Sequence, residues 1–369
     1  MIDNTLRMAS LLAPALAVAM VLTAPATAQE APNAAAGSPA GLDASPLAFE
    51  RDYREDMRRL VEAVADYARQ QRPDFVVVAQ NGLELLAKAM SEDPDAEDGS
   101  RLVPARRYIR VLDGILVEGL HFGVPEIDKP PPKDAGPRRM ALAEIARANG
   151  LRVLSLDYGR RSQTALGAYR ASRSRGFVSF TAVGAGAANN RLPAYPRRPF
   201  AENPRNVVSL KDVGNFAYLR DSAGFGREDQ FALTLHGTNY DLVVVEPFHG
   251  RRPLSRRAVE TMKYKKLGSR RLVLAYVDIG TVASYLYYWN DDWAVGSPSW
   301  IVAPITADPD RFYVSYWHPE WRKLMTGHAG AFIHGVAVDQ GFDGVVLAGL
   351  DVYQVFESGG APSADQITQ

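Results

Sequence analysis

Acids and amides stand at the ends of the apolar runs in this chain. Gln80 and Asn81 close one run, and Asp113 and Glu118 flank the next. Asp157, Glu246, Asp278 and Asp351 each stand at, or just past, the end of a further run. Hydrolysis of a glycosidic bond needs two carboxyl groups, one to donate a proton and one to act as nucleophile or base. The donor must be held neutral by apolar surroundings or a like charge, so several acids in differing environments suit that chemistry. A lone acid at such a position also serves as a loop hydrogen-bond acceptor, and only the group as a whole favours carboxylate catalysis. Aromatic residues add a second signal. Tyr285, Tyr287, Tyr288, Trp289, Trp293 and Trp300 crowd one segment, followed by Tyr313, Tyr316, Trp317 and Trp321. Flat rings suit sugar faces, and they equally suit packing beneath a long loop.

Other chemistries find less support. The six histidines show no metal-ligand spacing; His328 and His334 stand six apart, off the i, i+4 spacing that puts two ligands on one helix face. There is no cysteine, which excludes thiol and thiolate–metal chemistry. No G-x-S-x-G elbow and no phosphate-binding P-loop occur. Neither a metal nor another cofactor is therefore expected.

The elements that must position these residues alternate. Phe49, Tyr53, Met57, Leu60, Val61, Val64 and Tyr67 recur at helical spacing, and Pro73 follows. Apolar, β-branched runs cover 74–80, 108–118, 152–158, 177–183, 215–220, 241–248, 271–280 and 343–349. Helical patterns over 137–149, 228–237, 255–267 and 319–340 precede several of them. Wholly apolar strands alternating with helices predict a parallel sheet covered by helices. Eight of them predict a closed (β/α)8 barrel, with an open doubly wound sheet as the alternative. The pattern begins with a helix and ends with a strand. A closed barrel then requires a circularly permuted order, the first helix serving as the crossover after the last strand. Both ends of the pattern then fall on the face where barrel chemistry sits.

The flanking segments differ from this pattern. Arg7, the apolar run Leu11 to Leu22 and the small-x-small site Ala26-Thr27-Ala28 predict a signal peptide over 1–28, with export to a periplasm or beyond. An uncleaved anchor is the alternative, although the run is short for a membrane span. Residues 29–47, rich in Ala, Pro, Gly and Ser, read as a disordered leader, and 358–369 as a disordered tail. The barrel is expected over 48–357. Basic and acidic residues cancel at 42 each, so no global field draws nucleic acid or an anionic membrane. Arg197-Arg198 reads most simply as a solvated loop. A monomer is expected.

Several stretches resemble a known family. Asp74–Leu86 (DFVVVAQNGLELL) is similar to pdFivipQNGeeLl, and Leu112–Glu118 (LDGILVE) to iDGigqE. Val153–Tyr158 is similar to VLviDY, Thr238–Glu246 to TnYDlliiD, Arg271–Gly280 to RLViaYmSIG, Tyr313–Trp321 to YkVkYWdpeWq, and Gly341–Leu347 to GFDGVYL. These belong to glycoside hydrolase family 114, the endo-α-1,4-polygalactosaminidase-like group, including an extracellular branch once misnamed for cysteinyl-tRNA synthetase. The resemblance covers most of 49–357 and implies a metal-free barrel acting on galactosamine-containing exopolysaccharide through an Asp/Glu pair. The family glutamate falls on Glu118. The family aspartate after GFDGVYL falls on Ala348, while the following Asp and Tyr survive as Asp351 and Tyr353. The acidic stretch SIGEAEDYR becomes Asp278–Leu286, without its glutamates, aspartate or arginine. Alanine can neither donate a proton nor attack a sugar, so three outcomes follow: lost or impaired activity, rescue by Asp278 or Glu246, or altered chemistry. An active enzyme would use Glu118 as proton donor and Asp278 or Glu246 as the second carboxylate. Gln80, Asn81, Asp157, Tyr276, Tyr316, Asp351 and Tyr353 would line the sugar site. A non-catalytic polysaccharide-binding or envelope-assembly protein on the same fold is the alternative.

Overall fold

In the computed structural model, residues 51–89, 102–185 and 189–359 are described. The expected signal peptide and leader lie outside them, as does all but the first two residues of the expected tail. Eight parallel strands form one sheet: β1 (Val76–Gln80), β2 (Gly114–Glu118), β3 (Arg152–Tyr158), β4 (Val178–Ala182), β5 (Phe216–Leu219), β6 (Leu242–Val245), β7 (Leu272–Asp278) and β8 (Gly344–Ala348). Their order is β4-β3-β2-β1-β8-β7-β6-β5. Only the β4–β5 pair lacks a ladder, and there Phe180 packs on Phe216 with ring centroids 5.6 Å apart. The sheet is thus a nearly closed barrel. The strands are almost wholly buried because helices cover them outside and side chains fill the ring inside. At the β8 start only glycine fits: a Cβ on Gly344 would lie 2.2 Å from the Val76 carbonyl oxygen.

Helices precede most strands: α1 (Tyr53–Gln71), α2 (Arg106–Val111), α3 (Ala135–Ala148), α4 (Ser162–Ser174), α5 (Glu228–His236) and α6 (Arg256–Met262). Asp52 caps α1, its carboxylate accepting the Glu55 amide at 2.8 Å. Met57, Leu60, Val61, Val64, Ala65 and Ala68 turn the helix's buried face to the barrel. Each fully buried Leu or Val there contributes about 1.5–3 kcal/mol before chain entropy is counted.

The permuted order holds. β1 pairs with β8 on one side and β2 on the other, so α1 fills the crossover between last and first strands. The end of the pattern differs slightly: a short helix, α9 (Tyr353–Glu357), follows β8. It meets the start of α1 through Arg54–Glu357 at 2.8 Å and a Tyr53–Phe356 stack at 5.6 Å.

Two expected elements are divided. Residues 108–111 of the run 108–118 belong to helix α2, because Tyr108 and Ile109 bury one helical face, and Leu112 and Asp113 turn the chain into β2. The pattern 319–340 is α7 (Pro319–Met325), a break holding Gly327 and Gly330, α8 (Phe332–His334) and a π-turn to Asp339. Within 284–311, an open question from sequence, part of the chain forms a three-stranded antiparallel flap with Thr281–Ala283, Ile301–Ile305 and Asp308–Val314. Trp289, Trp293, Trp300 and Trp321 pack one against the next behind it, with centroids 4.9 to 5.5 Å apart. These tryptophans serve the core.

Candidate active site

Two clefts open side by side on the C-terminal rim of the strands. The first, about 390 Å³, is lined by Asn81, Glu84, Glu118, Arg139, Asp351 and Gln354, among others. Glu118 is the last residue of β2. Asn81, just past β1, adopts a left-handed backbone (φ 56°), which Asn tolerates better than most residues. That turn aims its amide at Glu118: Nδ2 donates to Oε2 at 2.8 Å, and the Glu118 amide donates back to Oδ1 at 3.1 Å. The Tyr158 hydroxyl donates to Oε1. Burial, then the charge of Glu118, pushes that phenol far above its ordinary pKa, so it remains a donor. Arg139 donates to the Glu118 main-chain carbonyl.

Asp351 stands on the short turn after β8, behind Gly349. It is exposed on the cleft wall, yet protein crowds it. Desolvation first, then the charges of Asp278, Glu118 and Glu84, hold its carboxyl above the usual aspartate value. The ring of Tyr353 is buried, and its hydroxyl donates to Glu84 at 3.2 Å, steadying the same wall.

The second cleft, about 520 Å³, holds Arg220, Glu246, Tyr276, Asp278, Tyr285 and Arg311. Glu246 accepts from both Nε and a terminal nitrogen of Arg220 at 3.1 Å. Burial raises its pKa and Arg220 opposes the rise. The Arg220 guanidinium lies 3.4 Å from the centroid of Tyr276. Asp278 accepts the amides of Gly280 (3.0 Å) and Thr281 (2.9 Å), the Thr281 hydroxyl (2.7 Å) and Arg311 (3.3 Å). Its oxygens are committed to the turn that starts the flap. Asp278 is also the direct partner of Ala348 in the β7–β8 ladder. A carboxylate on β7 thus stands beside the β8 position where the resemblance would place one.

The structure therefore brings Glu118, Asn81 and Asp351 together, and separately Glu246, Tyr276 and Asp278. Four expected site residues line neither cleft, Tyr353 behind Glu84 among them. Gln80 is buried inside the barrel, accepting the Tyr218 hydroxyl at 3.1 Å. Asp157 is fully buried and pins the loop after Glu118, accepting the amides of His121 (2.7 Å) and Phe122 (2.8 Å) and the Ser155 hydroxyl (2.8 Å). Tyr316 is buried beside Trp317 and Phe356 and donates to the Tyr53 carbonyl at 2.8 Å. Sequence reasoning missed Arg139, Arg220, Arg311, Glu84 and Tyr158. Arg220 had a usable signal, since it follows the β5 run as the acids follow theirs. Among the described residues no group of three or more His, Cys, Asp or Glu could hold a metal ion, and no helix is long and apolar enough to cross a membrane.

No family model matches the chain. It is similar to an uncharacterized protein of Deinococcus radiodurans, 29% identical over 174 residues, 47% of this chain and 51% of that one. A second, from Methanocaldococcus jannaschii, is 28% identical over 167 residues, 43% of this chain and 44% of the relative. A third, from Thermotoga maritima, is 31% identical over 90 residues, 24% and 26% of the two chains. The chain thus spans about half, or less, of the length of the curated relatives it matches.

Proposed function

We propose that this protein is an exported glycosidase-type barrel that takes an amino-sugar polysaccharide, of the galactosamine-containing kind, across its C-terminal mouth. The observation that carries the reading is the cleft shared by Glu118 and Asp351. Asp351, whose carboxyl is held toward its neutral form, is the proton donor. Glu118, oriented by Asn81 and Tyr158, is the nucleophile or base. This reverses the role expected of Glu118 and replaces Asp278 and Glu246 as its partner, because both of those are engaged by arginines. Glu84, Glu118 and Asp351 outnumber Arg139 in the cleft, a balance that favours a cationic amino sugar over an acidic one.

Ala348 favours a second reading, a barrel that binds the same polymer and cleaves it slowly or not at all. One assay separates the two. The protein is incubated with partially deacetylated galactosaminogalactan while reducing ends and binding are followed. Hydrolysis that falls at least about a hundredfold in both Glu118→Gln and Asp351→Asn supports the enzyme. Binding without hydrolysis supports the binding protein. Neither binding nor hydrolysis refutes both.

A further inference from the structure

The chain's net neutrality conceals a strongly basic flank. Between residues 129 and 212, sixteen Lys and Arg face five Asp and Glu, in a chain whose totals cancel at 42 each. That segment builds α3, β3, α4, β4 and most of the connection to β5, so the excess lies on one side of the barrel. Arg138, Arg170, Arg173, Arg191, Arg197 and Arg198 are all exposed. Contacts tie parts of this flank together. Glu144 of α3 reaches Arg175 at the end of α4 at 3.6 Å. Arg173 lies 5.9 Å from the Tyr169 ring, Tyr169 stacks on Phe200 at 4.1 Å, and Tyr195 meets Phe200 edge-on at 6.1 Å. Tyr195 and Phe200 flank Arg197 and Arg198. The 13 residues of α4 make this flank about 20 Å tall.

The lower edge of the flank is apolar as well as basic. A recess of about 470 Å³ is walled by Arg197, Arg198, Lys266 and Leu267 and backed by Tyr240. Leu267 is 55% exposed, and nearby Tyr264 and Leu233 are 46% and 58% exposed. The carbonyl of Tyr264 meets the His236 ring at 3.2 Å, and the Leu267 amide donates to Asn239 at 3.1 Å, which ties this turn to the end of α5. Leu233 stands one helical turn before His236.

We infer that this flank and edge form a peripheral docking surface for an anionic phospholipid bilayer. Exposed guanidinium groups pair with lipid phosphates, tyrosine rings favour the headgroup layer, and leucines reach the acyl boundary. A nucleic acid or acidic polysaccharide would use the arginines and leave Leu233 and Leu267 in water. The inference stands apart from the chemistry of the mouth, which opens on the C-terminal rim.

The test is co-sedimentation of the full chain with vesicles of phosphatidylcholine, with and without about 30% phosphatidylglycerol, at about 0.1 and 0.5 M salt. We expect at least about tenfold stronger binding to the anionic vesicles, lost at the higher salt. Arg170→Gln, Arg173→Gln, Arg197→Gln and Arg198→Gln combined should weaken it by at least about tenfold with an unchanged melting temperature. Any contribution of the N-terminal apolar run is common to both chains. Leu233→Ser with Leu267→Ser should weaken vesicle binding while retention on a cation-exchange resin stays the same. Equal binding to both vesicle types, or full binding by the quadruple arginine variant, overturns the inference. Undiminished vesicle binding by the double leucine variant also overturns it, leaving a general polyanion surface.

Discussion

Placing an acid on β8 should set it against the acid on β7. Asp278 and Ala348 are ladder partners on adjacent strands, about 5 Å apart, with side chains on one face. The Asp278 carboxylate already leans over the end of β8: a Cβ on Gly349 would lie 2.3 Å from its Oδ1. Ala348 is itself only 3% exposed, so water will screen a new charge poorly. Two carboxylates about 5 Å apart repel by about 3 kcal/mol at an effective dielectric of about 20. Arg311, 3.3 Å from Asp278, absorbs part of this, which leaves a coupling of about 2 kcal/mol. Ala348→Asp should therefore be strongly destabilising alone and much less so with Asp278→Ser, the residue the resembling motif carries there. Urea unfolding of the parent, both single variants and the double variant closes the cycle. On the second reading, in which Ala348 leaves the barrel slow or inactive, the double variant should also hydrolyse amino-sugar polymer faster than the parent. A coupling below about 0.5 kcal/mol at neutral pH would refute the idea that the β7 carboxylate occupies the space an acid at 348 would need.

Asp351→Asn should raise stability at neutral pH. The folded state holds this carboxyl above its ordinary pKa, so the parent loses stability as pH rises through the unfolded value near about 4 toward the folded one. Melting curves of the two proteins should converge below that range; a gap that persists in acid contradicts the assignment. Lys265→Met should cost about 3 kcal/mol in urea unfolding, because Lys265 and Asp241 are both fully buried and 2.6 Å apart. The amide of Gly214 and the side chain of Asn203 still serve Asp241, keeping the loss at the low end; a neutral substitution would show the pair to be dispensable. Asn81→Gly should weaken substrate binding or turnover while easing the left-handed turn, and Asn81→Ala should be less stable than Asn81→Gly by about 1 kcal/mol, as thermal melts will show. Equal stability of the two would remove the backbone argument.

The strands were legible because a barrel strand is buried on both faces and reads as an unbroken apolar run; Val76–Ala79 and Val273–Val277 announce themselves. The helix–strand boundary near 112 was not, since Tyr108 and Ile109 are apolar in either element. Strand-end position identified acids on the rim but could not tell where they point. Asp157 turns sideways to the loop after Glu118, and Gln80 is buried inside the barrel. Tyr316 came with a motif whose aromatic residues pack the join between α1 and α9. The arginines of the second cleft were missed because only acids and aromatics were weighed. The basic flank was missed because a whole-chain sum conceals its distribution.

A ring with one unlaced seam behaves like a split collar. The strands are laced continuously from β4 through β1 and β8 to β5, and the slit lies opposite the β1–β8 join. Glu118 rides on one arm of the collar, while Arg220, Glu246 and Asp278 ride on the other. Phe180 meets Phe216 and Tyr240 across the slit, so the gauge between the clefts rests on these aromatic contacts as well as on the ladders. Slackening those contacts would widen the span between the two clefts.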